Sequence, residues 1–251
     1  MYPILFKIGS INVYSYGVMI AIGFTVAIYL ARQQAEKEGF DGDKIIDLGL
    51  YILIAGIVGA RLLYVLTNLS EYLKNPLEII MLNHGGLVIY GGIILATFTG
   101  IFFLSKRKIP ILKTADIIFP YVALAQSIGR MGCLLNGCCY GKPTSLPWGI
   151  HFPGQVIALH PTEVYFSLNA LAIFLISKMV QKRKRFTGQV CLLYFILYSA
   201  TRFGIEFFRG DSAGNIFGAL TLSQAISIVI FVVALLIYQR RSLLGRTQQR
   251  A

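Results

Sequence analysis

The chain has 251 residues, 56% of them hydrophobic and 14% charged, with a mean hydropathy of +0.68. That composition excludes an ordinary soluble globule and makes an integral membrane protein the expectation. A formal charge of +12 would point to nucleic acid in a soluble protein; here the basic residues lie between apolar stretches, which accounts for the charge without a nucleic-acid partner.

Hydropathy predicts seven spans, at about 12–33, 45–66, 86–104, 114–136, 161–181, 187–207 and 221–240. The first is too long for a signal-peptide core and lacks a small-residue cleavage site, so it reads as a retained helix. The fold class is therefore all-α: a polytopic membrane protein, a bundle of about seven transmembrane helices forming one integral domain over 1–251. Sixteen of the 23 Lys and Arg residues fall in alternate loops and at the C-terminal end, among them Arg32, Lys106 to Lys108, Lys182 to Arg185 and Arg240. Only Lys7, Lys74, Lys142 and Arg209 fall on the other side. Basic loops stay cytoplasmic, which puts the N-terminus outside and the C-terminus in the cytoplasm. The Gly- and Pro-rich stretch 137–160 then forms a small outer-side cap; a connection of that length is uncommon without a function.

Three arginines interrupt the apolar segments. Arg61, Arg130 and Arg202 follow the expected cytoplasmic starts of their spans, near Ile45, Thr114 and Thr187, by 16, 16 and 15 residues. At about 1.5 Å per residue all three lie roughly 22–24 Å across a hydrocarbon slab about 30 Å thick, in one layer near the outer polar boundary. An arginine at a bilayer centre costs on the order of 2.5–3.5 kcal/mol on insertion scales, less near the interface, so such residues mark a site. Glu206, four residues after Arg202, can pair with it, and Arg209 lies one turn further. Only Glu163 joins Glu206 as an acid at this depth, which leaves at least one cation for a bound anion; in an outer leaflet that anion is a phospholipid phosphate.

Tyr16, Tyr90, His160, Thr162, Glu163 and Tyr165 reach the same depth from other spans, although tyrosines there also serve as interfacial anchors and His160-Pro161 also suits a helix start. The pairs Gly85-Gly86 and Gly91-Gly92 bracket the mouth of the third span, where backbone amides could approach a phosphate. Cys133, Cys138 and Cys139 have a spacing that matches no common zinc pattern; a disulfide or helix packing is the expectation, with no metal and no cofactor.

Taken together these residues resemble the bacterial prolipoprotein diacylglyceryl transferases. The resemblance runs through Tyr16-Gly17, Gly59-Ala60-Arg61-Leu62, the stretch from Gly85 to Gly92, Gly129-Arg130-Met131-Gly132 with Asn136-Gly137 and Gly141, His160-Pro161-Thr162, and Arg202 with Glu206 to Arg209. It implies transfer of the diacylglyceryl group of phosphatidylglycerol to the thiol of a lipobox cysteine in a preprolipoprotein, with release of glycerol 1-phosphate. The expected catalytic residues are Arg130, Arg202, Tyr90, His160 and Glu206; Tyr16, Arg61, Gly91, Gly92, Asn136, Gly141 and Arg209 are expected to bind substrate. Two positions depart from the pattern: Tyr90 stands where many members have a histidine proposed as the base, and Cys133 stands where asparagine is frequent. They leave open the proton acceptor, among His160, Glu206, Tyr90 and a water; His84 lies nearby in sequence but on the loop side of the motif. They also keep two other readings in play, a different acceptor and a protein that binds or transports an anionic phospholipid without chemistry.

Overall fold

The chain opens with a hairpin where the sequence suggests the start of a span. In the computed structural model, which describes residues 1–9, 11–73, 75–81, 85–210, 215–216 and 220–248, strand β1 (Ile4–Ile8) pairs antiparallel with β2 (Ile11–Tyr14). The β-branched and aromatic residues of Ile11-Asn12-Val13-Tyr14 suit a strand, so helix α1 (Ser15–Lys37) begins three residues later than expected. Ser15 anchors the junction: its N–H and its hydroxyl both donate to the carbonyl of Pro3.

Six further long helices follow. They are α2 (Gly42–Thr67), then α4 (Ile89–Lys106) after a short α3 (Leu69–Tyr72) and a 3₁₀ turn (Pro76–Ile79), then α5 (Ile111–Asn136), α6 (Thr162–Gln181), α7 (Gln189–Glu206) and α8 (Leu222–Gln248). Two-residue strands β3 (Asn215–Ile216) and β4 (Leu220–Thr221) pair between α7 and α8. A helix therefore stands at each of the seven expected places, and the protein is an all-α, polytopic membrane protein. Six of the seven are long and apolar enough to cross a membrane; α7 falls short because Gln189, Arg202 and Glu206 lower the hydropathy of its 18 residues. Helices α1 and α8 run past their apolar parts to Lys37 and Gln248, since Arg, Gln, Glu and Lys are good helix formers once the apolar face is complete. Lys74 and His84 lie outside the described residues.

The chain divides into two compact units, Arg32–Thr114 and Met1–Ala31 with Ala115–Ala251. In the first, α2 and α4 pack through glycine. A Cβ on Gly91 would lie 2.3 Å from the carbonyl oxygen of Gly59, one on Gly59 would lie 2.4 Å from that of Gly91, and one on Gly92 would lie 2.8 Å from that of Gly56. Backbones in lipid approach this closely only where side chains are missing. Gly91 and Gly92 are thus buried in a helix contact, and the Gly91 amide donates to the carbonyl of Val88.

In the second unit, α7 is fixed at its start by Asp116 on α5, whose carboxylate accepts from the N–H groups of Gly188, Val190 and Cys191 at 2.7, 2.9 and 3.1 Å. That satisfies donors every helix N-terminus leaves open. Helices α5 and α6 meet through Ser127 and Ser167, whose hydroxyls lie 3.2 Å apart. At the other end of α7, Thr221 and Gln224 form a capping box for α8: Thr221 N–H donates to Gln224 Oε1 at 3.0 Å and Gln224 N–H to Thr221 Oγ1 at 3.2 Å.

Candidate active site

Two of the three buried-segment arginines converge on one ring. Phe166, one turn into α6 and only 3% exposed, carries the guanidinium of Arg130 at 4.5 Å from its centroid and that of Arg202 at 4.9 Å. Arg130 comes from the last third of α5 and Arg202 from the end of α7, so three helices meet at this phenyl group. Cations over an aromatic ring gain about 0.5–2 kcal/mol each, which offsets part of the mutual repulsion of two like charges.

The two arginines differ in what else they hold. Arg202 Nη1 lies 2.8 Å from Glu206 Oε2, and Nη2 donates to Ser223 Oγ at 3.0 Å. Glu206 is buried, accepts from Thr221 Oγ1 at 3.2 Å, and has Arg209 Nε at 3.9 Å. The capping box of α8 therefore grips the carboxylate that grips Arg202. Arg130 is half-buried, and among the described residues its guanidinium makes no hydrogen bond or ion pair. It is a held cation with its donors uncommitted.

A small ladder joins the same helices near their ends. The segment at 140–144 runs between 158–160 and 208–210: Gly141 N–H donates to His160 O at 2.8 Å, Lys142 N–H to Phe208 O at 2.8 Å, and Gly210 N–H to Tyr140 O at 3.3 Å. Gly141 is required there, because a Cβ would come within 2.5 Å of the Phe208 carbonyl oxygen and 2.6 Å of His160 Cβ. The ladder ties the ends of α5 and α7 to the start of α6. His160 packs edge-on against Phe208, and its Nδ1 lies 3.0 Å from Tyr165 Oη, which accepts from the indole N–H of Trp148 at 2.8 Å. Tyr16 stands in the first turn of α1, whose backbone lies against Gly132 of α5, where a Cβ would be 3.3 Å from Tyr16 Cα.

Asn136 ends α5, two residues before Cys138. Cys133, Cys138, Cys139 and Cys191 are free thiols in this structure. Burial pushes the Cys138 thiol above the ordinary range, and a hydrogen bond with Cys133, then burial, does the same for Cys139.

Arg61, in the other unit, is buried and fully employed. Its Nε donates to Ile79 O at 3.0 Å; Nη1 donates to the carbonyls of Gly85 and Gly86, and Nη2 to those of Glu78 and Met81. All five N–H donors of a guanidinium are accounted for. Gly85 and Gly86 adopt φ of +78° and +80°, and Gly86 lies so close to the Tyr64 ring that a Cβ would be 2.3 Å from it. In this loop it is the glycine carbonyls, turned inward to Arg61, that are engaged. Tyr90 is 38% exposed in the first turn of α4.

Sequence reasoning missed Phe166, Thr221, Ser223 and Trp148. Phe166 carries no chemical signal of its own, and Thr221 is marked only by the T-x-x-Q pattern of a capping box.

A family model for prolipoprotein diacylglyceryl transferase matches residues 3–240. The chain belongs to that family. It is 38% identical over 247 residues to the phosphatidylglycerol–prolipoprotein diacylglyceryl transferase of Clostridium tetani, covering 95% of this chain and 97% of the relative. The Finegoldia magna protein of the same name is 40% identical over 235 residues, with 93% of each chain covered. Clostridium perfringens has a relative carrying that name with the numeral 2, 36% identical over 251 residues, 98% of this chain and 97% of its own. The residues on which the resemblance was drawn fall in both units: Tyr16, Arg130, Asn136, Gly141, His160, Arg202, Glu206 and Arg209 in one, Arg61 and the glycine pairs in the other.

Proposed function

We propose that the chain transfers the diacylglyceryl group of phosphatidylglycerol to the thiol of a lipobox cysteine in a preprolipoprotein, forming a thioether and releasing glycerol 1-phosphate. The single observation that carries this reading, beside membership in the family, is the pair of guanidiniums on Phe166, one neutralised by Glu206 and one with open donors. The thiolate sulfur attacks the glyceryl carbon next to the phosphate, the carbon–oxygen bond breaks, and the bonding pair leaves with the phosphate oxygen. A phosphodiester of one negative charge becomes a monoester approaching two, so negative charge grows on the leaving group.

A fixed guanidinium aimed at that oxygen stabilises the transition state more than the bound lipid. Arg130 suits the task because a planar fork with free donors can take a phosphate bidentately. Arg202, balanced by Glu206, holds the second face of the site without adding a full unit of uncompensated charge, and Tyr16 flanks the acceptor approach. Thiol activation needs a proton acceptor, since a free thiol of pKa about 8.5 is only a few per cent ionised at neutral pH. Glu206 is committed to Arg202 and Thr221, so the role is assigned to His160, whose Nδ1 is held by Tyr165 and whose Nε2 has no bond to another described residue.

Orientation follows the basic loops: the protein sits in the bacterial plasma membrane with its N-terminus outside and the site opening toward the outer leaflet. The test is purified protein with phosphatidylglycerol and a cysteine-bearing lipobox peptide. Thioether product with an equal amount of glycerol phosphate supports the transfer; saturable lipid binding with no release would identify a lipid-binding protein instead. Matched pH–rate profiles for His160→Ala and Tyr90→Phe assign the base, an unchanged profile excluding the residue concerned as sole acceptor.

A further inference from the structure

The three clustered thiols sit at the end of α5, and local backbone geometry explains why. Gly137, at φ +74°, ends the helix in a Schellman motif: Cys138 N–H donates to Cys133 O at 3.2 Å and Gly137 N–H to Leu134 O at 3.1 Å. That motif brings the residue two beyond the helix end back beside the residue four before the glycine, so the spacing C-x₄-C places Cys138 against Cys133. Cys139 follows in a left-handed conformation, φ 68°, which a residue with a side chain seldom adopts, and it too is turned onto the cluster. Its carbonyl accepts from the buried Thr162 hydroxyl at 2.7 Å, which pins the turn to α6.

The outcome is three sulfurs within 4.8 Å of one another, with Cys138 and Cys139 Sγ 3.5 Å apart. Thiolates bound to one ion at about 2.3 Å lie roughly 3.8–4 Å apart, so small side-chain rotations suffice to coordinate it. Cys133 is buried, whereas Cys138 and Cys139 are half-exposed and give an ion a way in.

We propose that Cys133, Cys138 and Cys139 form a three-thiolate site for one soft, closed-shell metal ion, zinc(II), cadmium(II) or copper(I), and that its occupancy engages Arg130. The donor set is all sulfur, which selects thiolate-seeking ions over magnesium or calcium. Coordination releases the three thiol protons, and a divalent ion with three thiolates carries one net negative charge. Arg130 lies three residues before Cys133 on α5, so the two share one helix face as neighbours a turn apart. An anionic metal–thiolate centre there competes with a lipid phosphate for the open guanidinium. The binding stands on the thiol geometry alone, while the competition rests on the transferase reading.

The experiment is a titration of the reduced, full-length protein in detergent with cadmium(II), read by its ultraviolet thiolate-to-metal charge-transfer band, alongside transferase assays at each point. One ion per chain is expected for the wild type and for Cys191→Ser, with the band lost in Cys138→Ser and in the Cys133→Ser/Cys139→Ser double variant. Each variant's thermal melt verifies that it is folded, and the half-exposed Cys138 position serves if the buried one is not tolerated. Turnover should fall at least about 10-fold on cadmium saturation of the wild type, measured against each variant's own metal-free rate, and stay constant in Cys138→Ser. No uptake, or uptake that survives the substitutions, overturns the site. Uptake with undiminished transfer overturns the link to Arg130. Absence of transfer in every sample would sink the transferase reading, while the charge-transfer band still decides the metal site.

Discussion

Arg61 and Arg130 are each set late in a long helix, and each was expected in one layer of anion-binding charge, yet their surroundings differ completely. Arg61 spends all five donors on backbone carbonyls of the loop that follows its helix and lies over the rings of Tyr72 and Tyr64 at 5.3 and 5.7 Å. Arg130 rests on one phenyl ring with its donors open. A buried arginine can therefore be a staple for backbone or a receptor for a ligand, and its donor inventory separates the two roles where depth in the membrane does not.

The largest expected effect tests the receptor role. Arg130→Ala should lower turnover at least about 10²-fold, the usual scale for losing one preorganised donor to developing negative charge, while leaving the thermal melt close to wild type. Arg130→Lys should recover little, because a point ammonium cannot reproduce a planar fork. Near-normal transfer by both variants would remove Arg130 from the chemistry.

For Arg61 the order of effects should reverse. Arg61→Ala frees the five carbonyls of Glu78, Ile79, Met81, Gly85 and Gly86, and Arg61→Lys, with three donors, at least two of them; several belong to exposed residues and can turn to water, so the expected loss is about 2 kcal/mol of stability for alanine and less for lysine. The readouts are a lower melting temperature and faster proteolysis within that segment, with activity falling only as the folded fraction falls. A variant that melts normally yet turns over slowly would move Arg61 into the site.

The glycine contact of the same unit gives a third, smaller test. Gly91→Ala sets a methyl group against the Gly59 carbonyl and the Leu63 side chain at 2.3–2.5 Å, so α2 and α4 must part, at a cost of roughly 1–2 kcal/mol. Should Gly91→Ala instead melt normally and lose lipid affinity, its amide rather than its missing side chain would be what matters.

These contrasts show which parts of the molecule are written in the sequence. Helix positions follow from apolar runs, and the Arg202–Glu206 pair from four-residue spacing, because both depend on neighbours along the chain. The five acceptors of Arg61 were illegible: a carbonyl is the same in every residue, and 17 to 25 positions separate them from the arginine. Phe166 was illegible for a related reason, since only packing of α5, α6 and α7 decides which ring two distant cations share. The thiol cluster stands between these cases. The end of its span at 136 and the Gly-rich stretch from 137 were visible, but the neighbourhood of Cys133 and Cys138 depends on the hydrogen-bond pattern of the helix end rather than on sequence spacing read as a ligand motif.

Phe166 supplies the finest test of the comparison. If the ring's electrostatic face holds both cations, Phe166→Leu keeps an apolar side chain at the crossing of three helices but removes the quadrupole beneath Arg130 and Arg202. About 1 kcal/mol of positioning is then lost, equivalent to a roughly fivefold fall in kcat/KM. Arg202 retains Glu206 and Ser223, so Arg130, with no other hold among the described residues, should be the side chain that loosens. The signature that separates this from simple repacking is a double-mutant cycle with Arg130→Ala: the Phe166 effect should largely vanish in the Arg130→Ala background, while additive losses would mean that the ring serves only to fill space.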